Sequence, residues 1–151
     1  MVDQKKVIEA LWSRLAKVTE FSFTASNSAG SATDWHGHGR GKVAVSRCGD
    51  LLLFEEEAQF TRSDGRTLPM RNRYRWGRLE DRVRLEHQRR EDPVLLFELA
   101  PVTVHGLRQV TPHLCGADTY TADLLFHGSE IELIWAISGP RKAERLHYHY
   151  W

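Results

Sequence analysis

The sequence has few of the residues on which metal centres and disulfide frameworks depend. Its two cysteines, Cys48 and Cys115, stand apart and lack the paired spacing of a zinc site. Lys and Arg total 21 and Asp and Glu total 20, so the basic excess typical of a nucleic-acid binder is missing as well. We therefore predict reduced cysteines, no structural zinc and no nucleic-acid partner.

Long apolar runs are also missing. No stretch approaches the roughly 18 apolar residues of a membrane-spanning helix, and the first residues lack the apolar core and cleavage site of a secretory signal. Hydrophobic residues nevertheless make up 41% of the 151, which suits the core of one ordinary domain. We predict a single cytoplasmic domain over residues 1–151 that makes no membrane contact.

One segment, residues 3–18, predicts an amphipathic helix. Its apolar residues, from Val7 to Val18, recur three and four positions apart and so fall on one helical face. Asp3 precedes them and has the short acceptor side chain typical of an N-cap. We expect this helix to cover one mouth of the sheet structure that follows it.

From about residue 20 to residue 151 the apolar period is close to two, as in β-strands. Short turns separate the strands, among them SDGR, whose Asp-Gly pair is a strong hairpin signal. No helical segment lies between the strands, and a closed sheet removes exposed edges. The predicted fold class is therefore mainly β: a single antiparallel, lipocalin-like closed β-barrel of about 8–10 strands behind an N-terminal α-helix.

Glu56 is a carboxylate on an apolar strand face, between Phe54 and Ala58. An unpaired carboxylate in such a place costs several kcal/mol, so Glu56 needs a partner or a raised pKa. His87 and Arg89, which share a face of a later strand, are the predicted partners. The pair could simply hold the barrel together, or it could be the polar anchor of a ligand cavity.

A second polar group comprises His113, Cys115, Asp118 and Tyr120, all within eight residues. Residues two apart on a strand point to the same side, so His113 and Cys115 could meet and Asp118 could orient the histidine. The cluster suggests a hydrogen-bonded strand entrance, the lining of a pocket, or a Cys–His nucleophilic site.

Two His-x-His pairs raise the question of a metal, because alternate residues of a strand project together. They are His36 with His38 and His147 with His149, and no third ligand is evident for either pair. We predict no cofactor and no metal site, with haem or a metal ion as the alternative.

The chain resembles an uncharacterised bacterial and fungal family, domain-of-unknown-function family 6314. The resemblance rests on the segments GRGKVAV, LLFEEEAQF, RYRW, HQRREDPVLLFEL, HLCGADTY and WAISGPRK, of which HLCGADTY and GPRK are the more specific. It covers nearly the whole chain after the helix and implies no reaction.

More distantly, a helix followed by a glycine-containing strand and a meander resembles the calycins, which include lipocalins, fatty-acid-binding proteins and nitrobindins. This resemblance implies an eight- to ten-stranded barrel with a central cavity. The lipocalin Gly-x-Trp motif is missing from the first strand, although Trp35 lies just before it. A nitrobindin-like haem would need a late histidine, for which His147 or His149 could serve.

The leading hypothesis is a barrel whose cavity binds a small organic molecule with an anionic or polar head. Arg89 would then pair with an acid while aromatic side chains pack a ring or chain. The predicted ligand-binding residues are Glu56, Tyr74, Trp76, His87, Arg89, His113, Cys115, Asp118, Tyr120 and Trp135.

Two alternatives from other classes stay open. One is an enzyme that uses His113 or His87 as a general base, with Asp118 or Glu56 as its partner. The other is a barrel filled by its own side chains, which would act as a structural or interaction module. The sequence also leaves a homodimer open.

Overall fold

The computed structural model describes residues 2–27, 36–89, 92–111 and 113–151, with the side chains of 113–115 left out. Trp35 therefore lies outside the described residues. In this part of the chain one helix, α1 (Gln4–Leu15), precedes eleven strands. They are β1 (Glu20–Asn27), β2 (Gly37–Cys48), β3 (Leu51–Arg62), β4 (Thr67–Arg78), β5 (Val83–Arg89), β6 (Asp92–Thr103), β7 (Gly106–Gln109), β8 (His113–Cys115), β9 (Asp118–His127), β10 (Glu130–Ser138) and β11 (Ala143–Tyr150).

The strands form a closed antiparallel barrel. From β1 each strand pairs with the next as far as β7, β7 pairs with β9, and β10 pairs with both β9 and β11. Because β11 also pairs with β1, the ring closes with ten strands, and the short β8 adds to β9 beyond the end of β7. The predicted fold class is confirmed: mainly β, a closed antiparallel barrel behind an N-terminal helix. The likeness to lipocalins stays a prediction.

Strand register separates an apolar lumen from a charged outer surface. Phe54 of β3 lies opposite Tyr74 of β4, and both side chains are buried inside the barrel. The alternate residues of β3 and β4 point outward, and among them Arg71 pairs with Glu57 at 3.1 Å. Such exposed ion pairs contribute about 0–1 kcal/mol each, so burial of the inner face supplies most of the stabilisation.

The helix begins where the sequence predicts and ends earlier. The Asp3 side chain accepts a hydrogen bond from the Lys6 backbone N–H at 3.2 Å, which confirms it as the N-cap. The helix ends at Leu15, so its predicted end at residue 18 is wrong. The cause is non-local, because Thr19 and Glu20 donate their backbone N–H groups to the carbonyl of Trp151 at 2.9 and 3.0 Å.

Helix α1 closes one end of the barrel, as the sequence predicts. It packs on β6 and β10, and Leu11 and Leu15 are completely buried in the same core as the strands. The guanidinium of Arg78, the last residue of β4, lies 5.3 Å from the centre of a Trp12 ring. Among the residues that the structure describes, α1 therefore leaves the other end of the strands as the way into the lumen.

Candidate functional site

A cavity of about 290 Å³ occupies the lumen at the end opposite α1. Met70, near the start of β4, and Tyr120, near the start of β9, contribute to its wall, whereas α1 packs near the far ends of those strands. The wall combines three kinds of side chain. They are the aromatic Phe23, Tyr74, Tyr120, Trp135 and Tyr148, the non-aromatic apolar Ala25, Met70, Leu96, Ile137 and Leu146, and the polar or charged Ser26, Asn72, His87, Arg89, Lys142, Glu144 and Arg145.

A larger groove of about 780 Å³ lies outside the barrel, between α1 and the ends of β3 and β4. Its wall is mostly charged, and its groups pair with each other: Arg78 donates to Asp50 at 2.8 Å. An open, internally paired surface offers little to hold an organic molecule. We therefore place the candidate site in the lumen.

Two hydrogen-bonded contacts cross the lumen at the base of the cavity, and the one between Tyr74 and Tyr148 forms its floor. The hydroxyl of Tyr150 on β11 donates to Glu56 Oε2 on β3 at 2.6 Å. The hydroxyls of Tyr74 on β4 and Tyr148 on β11 lie 3.3 Å apart. Strands β3 and β4 are far from β11 around the ring, so these contacts cross the barrel rather than follow its wall.

Glu56 is a buried acid with one satisfied oxygen. Burial raises its pKa to about 8, and the hydrogen bond from Tyr150 opposes that rise. Its Oε1 has no hydrogen-bond partner in the part of the chain that the structure describes. Glu56 is therefore mainly a neutral carboxylic acid at pH 7.

Glu56 bonds to neither His87 nor Arg89, and burial raises its pKa, which is the other of the two alternatives that the sequence leaves open. Arg89 donates from Nε to Nδ1 of His87 at 3.1 Å instead of reaching the carboxyl. The partner is Tyr150, which β11 brings across the lumen. Spacing along one strand cannot show which strand lies on the opposite wall.

The three tyrosines of the two cross-lumen contacts remain uncharged phenols. Burial raises the pKa of Tyr74, Tyr148 and Tyr150, and repulsion from the neighbouring acidic groups adds to the effect. Each hydroxyl therefore keeps its proton and can donate as well as accept a hydrogen bond. The floor is polar but carries no fixed charge at neutral pH.

His87 and Arg89 stand together on β5 between the floor and the mouth. The His87 ring stacks on Tyr74, with 5.0 Å between ring centres. Burial, and then the charge of Arg89, lowers the pKa of His87, so the imidazole is neutral. Because its Nδ1 accepts from Arg89, its proton resides on Nε2, which becomes a donor.

The guanidinium of Arg89 is exposed at the mouth. Of the carboxylates that the structure describes, none lies within ion-pair distance of it. On the rim, Lys142 Nζ lies 3.8 Å from Asp118 Oδ2. Arg89 is thus a cation of the cavity wall with donors left for an anion.

Of the ten predicted ligand-binding residues, the structure describes the side chains of eight, in four settings. The cavity wall brings together Tyr74, His87, Arg89, Tyr120 and Trp135. Glu56 lies buried beside the floor, Trp76 is fully buried in the core against Phe54, and Asp118 lies on the rim. The backbones of His113 and Cys115 pair with Tyr120 and Asp118, and their side chains lie outside the described set.

Sequence reasoning missed Asn72 and the inward-facing tyrosines of β11. The alternation in HYHYW puts Tyr148 and Tyr150 on one face and the histidines on the other. That pattern signals two faces, but both contain ring side chains, so it does not say which face is inside. Asn72 lies opposite Glu56 on the neighbouring strand, a pairing that only the register reveals.

The histidines of β11 lie on the outer surface. His147 Nε2 is 3.2 Å from Glu132 Oε1, and His149 Nε2 is 3.5 Å from Glu130 Oε1. Neither histidine faces the lumen, so neither is placed to bind a haem there. Across the described residues, no group of three or more His, Cys, Asp or Glu side chains is arranged to hold a metal ion.

The fold and the cavity define a class of protein: a closed antiparallel β-barrel with a helix over one end and an aromatic, polar-floored cavity at the other. The chain belongs to the family of unknown function DUF6314, whose family model matches residues 20–151. The match begins with β1 and leaves out α1. No curated protein and no solved structure matches the chain. In the part of the chain described, no helix has the length and apolar character needed to cross a membrane.

Proposed function

We propose that this barrel binds a small organic molecule with an anionic head and an aromatic body. The observation that carries the proposal is the cavity of about 290 Å³, with aromatic walls and the guanidinium of Arg89 at its mouth. Ligand pockets are commonly apolar clefts with a few convergent polar groups. This cavity has that composition.

The volume supports a small ligand. Drug-sized molecules usually occupy pockets of about 300–1,000 Å³, so a cavity of about 290 Å³ is at the low end. The cross-lumen contacts of Glu56 and Tyr74 block access to the helix-covered half of the barrel. A ligand would be confined to the half of the barrel opposite α1, where one ring and a short substituent can fit.

The charge distribution supports an anionic head. Arginine donates in a planar fork that matches a carboxylate, and the Nε2 proton of His87 adds a neutral donor beside it. The wall itself supports a planar body, because the stacked pair of Tyr74 and His87 and the ring of Trp135 lie on different strands around the same cavity.

Native mass spectrometry tests this proposal on the purified chain, alone and with millimolar benzoate. We expect a benzoate adduct on the wild-type protein, because the aromatic wall and Arg89 are complementary to it. Ala25→Phe fills the cavity from its wall and should abolish the adduct. Thr24→Phe adds the same ring one residue away, on the exposed side of β1, and should leave the adduct intact.

The wild-type protein, Ala25→Phe and Thr24→Phe also define the results that would contradict the proposal. If the wild-type protein carries no adduct, the proposed class of ligand is wrong. If Ala25→Phe binds benzoate as well as Thr24→Phe does, the lumen is not the binding site. Denaturing the wild-type protein and identifying any released molecule would then show whether a ligand of another class had been carried through purification.

A further inference from the structure

We propose that the ligand is an aryl carboxylate with a hydroxyl at the far end of its ring, and that the hydroxyls of Tyr74 and Tyr148 recognise this group. The inference rests on the proposed function and specifies the chemical class of the ligand. It starts from the floor of the cavity, which the anionic head does not reach.

The contact between Tyr74 and Tyr148 is a weak hydrogen bond. The two oxygens are 3.3 Å apart, whereas O–H···O bonds are most often about 2.7–2.8 Å long. Both residues line the cavity and both are buried. Within the described chain neither hydroxyl has another hydrogen-bond partner. Each phenol therefore keeps unused donor or acceptor capacity at the cavity floor.

A ligand hydroxyl uses that capacity in full. It can accept from one tyrosine and donate to the other, which replaces one long contact with two shorter ones. Both phenols are protonated, since burial raises the pKa of each. A hydrocarbon end would leave the floor with only its long contact, and the site would then select against it.

The backbone positions of the residues at the mouth and at the floor are about one ring apart along β5. His87 is the register partner of Tyr74, and Arg89 lies two residues further along β5 towards the mouth. Two residues of a strand span about 7 Å, which is close to the distance between two substituents at opposite ends of a benzene ring. A carboxylate at Arg89 and a hydroxyl at Tyr148 thus point to a para-substituted ring between them.

Isothermal titration calorimetry with benzoate and 4-hydroxybenzoate tests this class. We expect the wild-type protein to bind 4-hydroxybenzoate about five- to tenfold more tightly than benzoate, the gain from one net hydrogen bond. The double variant Tyr74→Phe/Tyr148→Phe, which has no hydroxyl at the floor, should lose this preference. Thr24→Val removes a hydroxyl on the exposed side of β1 and should keep the preference.

The outcomes separate the two proposals. Equal binding of both acids by the wild-type protein, or a preference that survives in Tyr74→Phe/Tyr148→Phe, overturns the assignment of the hydroxyl and leaves the binding barrel in place. Failure of the wild-type protein to bind either acid overturns the proposed function itself. Thermal unfolding of each variant shows that a lost preference comes from a folded protein.

Discussion

Glu56 is a carboxylic acid that the fold removes almost completely from water. It is 2% exposed, its carboxyl accepts from Tyr150, and its pKa rises from 4.5 to about 8. Burial disfavours the charged form, so the folded chain holds a proton that the unfolded chain releases above pH 4.5. The stability of the folded protein is therefore coupled to pH through this group.

The coupling predicts the sign of the pH dependence. Since the folded pKa is above the unfolded one, the contribution of Glu56 is fully present below about pH 4.5 and is lost as pH rises to about 8. Glu56→Gln cannot ionise, so between pH 5 and 9 the wild-type protein should lose on the order of 4 kcal/mol relative to it. Urea unfolding at several pH values measures this difference.

A matched variant separates the effect of burying a carboxyl from the effect of removing its charge. Glu57 is the exposed neighbour of Glu56 and pairs with Arg71 on the outer surface, so Glu57→Gln should follow the wild-type profile. Parallel profiles for the wild-type protein and Glu56→Gln would mean that the carboxyl is ionised in the fold, in contradiction to its burial.

At the scale of elements, one side chain joins two short strands into one barrel wall. β7 and β8 pair with successive parts of β9, and the Gln109 amide lies between them. Its Nε2 donates to the carbonyl of Tyr120 at 3.0 Å, and its Oε1 accepts from the N–H of Ala122. The side chain therefore supplies the hydrogen bonds that a continuous backbone would have made.

Replacing this amide should open the wall locally. Gln109→Leu removes the acceptor of the Ala122 backbone N–H, at a cost of about 1–3 kcal/mol. We expect the Ala122 amide to exchange with deuterium at least tenfold faster. Gln59→Leu, on the exposed face of β3, is the control and should leave that rate unchanged. Equal Ala122 exchange rates in the wild-type protein and Gln109→Leu would rule out the bridging role.

At the scale of the whole molecule, closure of the barrel depends on a close approach of β2 to β3. Gly41 of β2 lies opposite Ala58, and a Cβ at Gly41 would overlap the carbonyl oxygen of Glu57 and the Cα of Ala58. These are backbone atoms of a paired strand, which cannot move aside without breaking the ladder. A glycine is therefore required where the sheet bends tightly.

Gly41→Ala should consequently destabilise the barrel by about 3 kcal/mol or more. For a chain of this length, that loss lowers the melting temperature by roughly 10 °C. Gly77→Ala is the matched change in β4, where the nearest atom, Leu51 Cδ2, would be 3.5 Å from the new Cβ, an ordinary contact. If both variants melt at the same temperature, the close approach does not limit closure.

Local patterns in the sequence determined the parts of this protein that depend on neighbours along the chain. The period of two after residue 20, the Asp3 cap and the Asp-Gly turn at Gly65 all agree with the structure. The resemblance to the family could also be recognised from the sequence, because each segment that shows it is a contiguous run of residues. Strand parity placed Tyr74 and Trp135 on buried faces.

Only the tertiary structure decided what meets across the lumen. Tyr150 replaces Arg89 as the partner of Glu56, and Tyr148 joins Tyr74 to make the floor. The helix ends at Leu15 because the carbonyl of Trp151, at the other end of the sequence, captures the residues that follow it. These contacts depend on how the sheet closes on itself, and closure is set by the joint register of all ten strands, which no single strand encodes.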